Sequence, residues 1–74
     1  MGRTTAASWY KSAAEFQQLC EDAVRMAHGE RAEEFAHEML ARARADGLLT
    51  HLTVPQLRWL CQIADHVVPL ERVT

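Results

Sequence analysis

Four histidines (His28, His37, His51, His66) and two cysteines (Cys20, Cys61) are the residues of this chain best suited to metal or thiolate chemistry. Their spacing speaks against both uses. Cys20 and His28 are eight positions apart, and Cys61 and His66 are five apart. Structural zinc sites use C-x2-4-C and H-x3-5-H spacings, and no i,i+4 ligand pair falls on one helix turn. Both cysteines lie among apolar neighbours on predicted helix faces and read as buried, reduced thiols acting as small hydrophobes. There is no Gly-rich phosphate loop, no nucleophile elbow and no H-E-x-x-H. A helical chain this short also makes a poor pocket. No catalytic residue, metal ligand or cofactor is therefore assigned, and the sequence predicts a protein that is not an enzyme.

Charge is the other chemical resource, and it is unevenly spread. From Glu15 to Glu38 there are seven acids (Glu15, Glu21, Asp22, Glu30, Glu33, Glu34, Glu38) against two bases (Arg25, Arg31), a local net of −5. The remainder nets +3, giving −2 overall. Such a run is often only a solvated face. Its functional reading is an acidic patch that docks on a basic protein surface, such as one built to hold nucleic acid.

Three helices must position these groups. The first is predicted over about 12–28. Ser12 and Glu15 form a capping box, and Ala13, Phe16, Leu19, Cys20, Ala23, Val24 and Ala27 mark one face. Gly29 is the expected left-handed residue beyond its end. The second runs from about 30 to 45, with Ala32, Phe35, Ala36, Met39, Leu40 and Ala43 as its face. Its acids come early and its arginines late, as the helix dipole favours. The third, about 54–68, is the most apolar. Thr53 and Gln56 make its capping box, Pro55 sits in its first turn and Pro69 stops it. Leu57, Leu60, Cys61, Ala64 and Val68 form one face. Trp59, Ile63 and Val67 form a second i,i+4 row. A helix apolar over so much of its girth is either central in a bundle or half-covered and awaiting a partner. The Trp9-Tyr10 segment and the Leu48–Leu52 connection are the two stretches able to cover the second row. Trp59 and Ile63 are accordingly predicted partner-binding residues beside the seven acids.

The 74 residues suit one helical domain, 1–74, an all-α compact three-helix bundle. The expected core includes Phe16, Cys20, Phe35, Met39, Leu57, Leu60 and Ala64. At 49% hydrophobic and 24% charged, the composition is globular rather than disordered. Residues 1–8 read as a frayed lead-in, and Leu70–Thr74 as a tail. The start lacks the apolar stretch of a signal peptide, and Met1-Gly2 with Thr5 only loosely matches a myristoylation signal. No apolar run approaches membrane-spanning length. A cytoplasmic protein is expected.

A helix-turn-helix is the alternative, with Arg58, Trp59 and Gln62 facing a DNA groove. The connection from Asp46 to Leu52 is seven residues, where that motif uses three or four. The would-be recognition helix has one arginine and no lysine, and the acidic neighbour opposes phosphate. Direct nucleic-acid binding is the less favoured reading.

The run Phe35-x3-Met39-Leu40, Gly47-Leu48 and Leu52-Thr53-x2-Gln56-Leu57-x-Trp59-Leu60 resembles helical segments of small phage and mobile-element proteins. Size, acidity and missing catalytic motifs resemble the small anti-CRISPR inhibitors. That resemblance implies binding to an effector complex and obstruction of its nucleic-acid site, and it supplies no site residue. The sequence thus predicts a protein-binding module whose partner is a protein, a nucleic-acid-binding effector complex or a second copy of the chain.

Overall fold

A computed structural model describes residues 4–69. The chain forms the expected all-α three-helix bundle: α1 (Ala13–Met26), α2 (Glu30–Asp46) and α3 (Val54–Ala64). Short 3-10 turns cover Ala6–Ser8 and Gly47–Leu49. Met1 and Gly2 of the loose myristoylation likeness and the expected tail Leu70–Thr74 lie outside the described residues. No described helix is long and apolar enough to cross a membrane.

Local chemistry sets the helix starts. The Ser12 hydroxyl accepts the Glu15 N–H at 3.2 Å. Glu15 returns its carboxylate to the Lys11 N–H at 3.1 Å, one residue upstream of the usual box partner. At α3 both halves of the box close: Gln56 N–H to Thr53 Oγ1 at 3.3 Å and Thr53 N–H to Gln56 Oε1 at 2.8 Å.

The ends differ from the sequence reading. Helix α1 stops at Met26, not His28. Ala27 turns extended and is buried, so the chain leaves the helix to bring that methyl inward. Gly29 precedes α2 at φ 97° and ψ 149°, a conformation open to glycine rather than a left-handed helix stop. Helix α2 extends one residue past expectation, to Asp46. Helix α3 ends at Ala64, four residues short of Val68. Asp65 takes the left-handed conformation (φ 60°, ψ 42°), which a short polar side chain tolerates. The Asp65 N–H donates to the Gln62 carbonyl at 3.3 Å and the His66 N–H to the Cys61 carbonyl at 2.9 Å. This is a Schellman ending, and it acts before Pro69 can.

The predicted frayed start is also corrected from Thr4 onward. The Leu52 N–H donates to the Thr4 carbonyl at 3.1 Å and the Ala6 N–H to the Thr50 carbonyl at 3.0 Å. The Thr4 hydroxyl donates to the Leu52 carbonyl at 2.9 Å. An isolated antiparallel bridge, Thr5 with His51, results. Ala6 is fully buried by it. Thr50 is buried too, and its hydroxyl donates to the Gly47 carbonyl at 2.7 Å.

Phe16, Leu19, Cys20 and Ala23 of α1 meet Ala36, Met39, Leu40 and Ala43 of α2 and Leu57, Leu60, Cys61 and Ala64 of α3 in one core. Helix α1 packs along both others, while α2 and α3 approach each other far less closely. The central helix is therefore α1, and α3 is covered on one side. Phe35, expected in the core, is only half-buried at its edge.

Candidate protein-binding face

Phe35 lies one position off the Ala36–Met39–Leu40–Ala43 stripe, so its ring projects from the flank of α2 that looks toward α3. Trp59 is likewise offset from Leu60 and Cys61 by about 100° and 200° around α3. The two rings stack with centroids 4.3 Å apart and 15° between planes. They bridge the seam that the two helix backbones leave open. Trp59 stays 39% exposed, Ile63 beside it is half-buried against the core, and Val67 beyond the helix is 63% exposed.

The ring stacked on Trp59 comes from α2 rather than from either stretch expected to cover this row. Tyr10 turns toward the other side of α3: its hydroxyl is 3.8 Å from Cys61 Sγ and its ring 5.7 Å from Phe16. From the connection, Leu52 enters the core and Leu49 is exposed. The group facing Trp59 is Phe35, which sequence reasoning placed in the core. The available signal is its offset from the Ala36–Met39–Leu40–Ala43 stripe of α2.

The seven acids separate into two sets. Glu15 caps α1, and Glu38 lies 4.0 Å from Arg42. Asp22 accepts from Gln18 at 2.9 Å and Arg25 at 2.7 Å and is bonded to His66 Nε2 at 2.8 Å. The His66 bond foremost, then Gln18 and Arg25, hold the Asp22 carboxyl below the ordinary carboxylate range despite some desolvation. His66, for which the sequence gives no metal role, ties the segment after α3 to α1. It also lines a cleft of ≈ 420 Å³ with Trp9, Tyr10, Lys11, Glu15 and Gln18. The remaining acids, Glu21, Glu30, Glu33 and Glu34, are exposed and make no ion pair among the described residues.

Both cysteines are buried as thiols, and neither is in a disulfide. Burial first, then Cys61 and Glu21, push the Cys20 thiol up to about 12, so it is no thiolate at neutral pH. No group of three metal-binding side chains gathers among the described residues. Arg58 and Gln62, the other groups of the helix-turn-helix reading, are exposed on α3. Comparison with family models, curated proteins and solved structures gives no match to this chain.

Proposed function

We propose that this chain is a non-catalytic protein-binding module that docks through the Phe35–Trp59 seam. The half-exposed stacked pair carries the reading. Trp59 is held against Phe35 before any partner arrives, so little side-chain freedom is left to lose on docking. Exposed aromatic anchors of this kind dominate interface energetics. Ile63 widens the apolar area, and the exposed carboxylates of Glu21, Glu30, Glu33 and Glu34 supply the long-range attraction. The partner this fits is a different protein with a basic surface. A second copy would bring like charges together. A phage-type inhibitor that covers the nucleic-acid site of an effector complex is the specific form of this reading. It draws on the charge layout and on the resemblance to anti-CRISPR proteins.

The test is capture of partners from the native host with the wild-type chain, with Trp59→Ala and with a Glu33→Lys/Glu34→Lys double variant. The expected result is one captured protein whose binding weakens with salt and is lost in both variants, with melting temperature lowered only modestly by Trp59→Ala. Capture that survives both variants refutes the reading. Direct DNA affinity of the purified chain with a steep salt slope replaces it with the regulator reading through Arg58 and Gln62.

A further inference from the structure

A second hollow, of ≈ 630 Å³, opens at the foot of α3, where Arg42 of α2 and the 51–56 stretch line it together. Its chemistry is the reverse of the acidic helices. Arg42 and His51 are the ionisable groups among its described lining residues, and no carboxylate joins them. Arg42 pairs with Glu38 only loosely, 4.0 Å from Nε and beyond hydrogen-bond distance, and its side chain stays 47% exposed. So exposed and loose a pair holds the guanidinium weakly, and a carboxylate from outside can replace it. Leu52, Val54 and Pro55 give the hollow an apolar wall. The start of α3 supplies no anion site of its own, because Thr53 and Gln56 already exchange their bonds there.

The backbone of His51 adds a third element. The bonds that flank the Thr5–His51 bridge, Ala6 to Thr50 and Leu52 to Thr4, make it the non-hydrogen-bonded pair of its ladder. In such a pair the N–H and C=O point away from the facing residue. His51 therefore turns both groups outward, and neither has a partner among the described residues. The edge is one residue long. The Thr50 N–H is already given to Gly47 and the Thr53 N–H to Gln56.

A passing strand needs several pairing positions along an edge. A chain end needs one, together with a cation for its carboxylate and an apolar wall for its last side chain. We propose that this hollow receives the C-terminus of a partner polypeptide. Arg42 holds the terminal carboxylate, His51 pairs with the backbone, and Leu52, Val54 and Pro55 contact an apolar last residue. This site is separate from the Phe35–Trp59 seam and stands or falls without it.

The experiment follows amide and Arg side-chain NMR signals of the full chain during titration with acetylated hexapeptides ending in Leu, Val, Ile or Phe. Three sets are compared: free C-terminal carboxylates, the same peptides as C-terminal amides, and amides that carry an internal glutamate. The expected result is saturable shifts at His51, Leu52 and the Arg42 side chain with the free-acid set. Amidation or Arg42→Gln weakens binding by about tenfold or more, while Trp59→Ala leaves it unchanged. Equal binding of the amides, equal binding of the internal-glutamate set, or no saturable shift at His51 and Arg42 overturns the proposal.

Discussion

Helix α3 carries two apolar rows, and they meet different fates. Leu57, Leu60, Cys61 and Ala64 face α1 and are buried to 3% exposure or less. Trp59 faces α2 across a wider seam, where it stacks on the Phe35 ring, and Ile63 is half-buried at the edge of the core. Side-chain type does not separate the rows, since a tryptophan outranks an alanine in apolar area. What separates them is the distance to the next backbone. Small residues on α1 and α3, Cys20, Ala23, Cys61 and Ala64, are all buried where those helices meet. At the α2–α3 seam two large rings stand between the helices. The first row accounts for stability, and the second is a surface that stacking has made rigid.

The largest effect should come from the buried row. Leu60→Ala should cost about 2–5 kcal/mol in a urea titration. A cost below about 0.5 kcal/mol, the scale of surface substitutions, would erase the difference between the rows. A smaller effect follows from the cap that starts both. Thr53→Ala should lower stability by about 0.5–2 kcal/mol, with the slope of the titration unchanged. A neutral result would mean that the Thr53–Gln56 box does not set where α3 begins.

The smallest expected effect concerns the tie that fixes the end of α3. The Asp22 carboxyl lies below its ordinary value of 3.8 in the folded chain, chiefly through His66. The native state therefore prefers the ionised form. Its contribution is present above the ordinary value and lost as pH falls through the lower folded value. Asp22→Asn should cost about 0.2–1 kcal/mol near neutrality and should flatten the loss of melting temperature below about pH 4. An acid profile identical to wild type would show that the tie between α1 and the segment after α3 is inert.

The parts legible in the sequence were local. The Thr53-x-x-Gln56 spacing specifies both bonds of a box within four residues, so α3 begins where the sequence places it. The ends were harder, because they depend on what the departing chain can reach. Ala27 leaves α1 to be buried, and Asp65 ends α3 early through a left-handed turn that glycine more often supplies. The pairing of Thr4–Ala6 with Thr50–Leu52 joins segments more than forty positions apart and has no local signature. The same limit governs the seam. Helical spacing separates Trp59 and Ile63 from the main face of α3, but only the relative placement of α2 and α3 brings Phe35 to Trp59.

Trp59→Ala, measured in two channels, tests the separation of the rows most directly. Thermal melting reads its share of the fold, and association with the captured partner reads its share of binding. The stacked pair contributes about 0.5–1.5 kcal/mol beyond its buried area, so melting should drop modestly, well short of Leu60→Ala. Association should fall by about 2 kcal/mol or more, as it does for an interface anchor. A variant that melts as early as Leu60→Ala yet associates normally would contradict the account: Trp59 would then be part of the core, and the binding face would lie on the acidic side of α1 and α2.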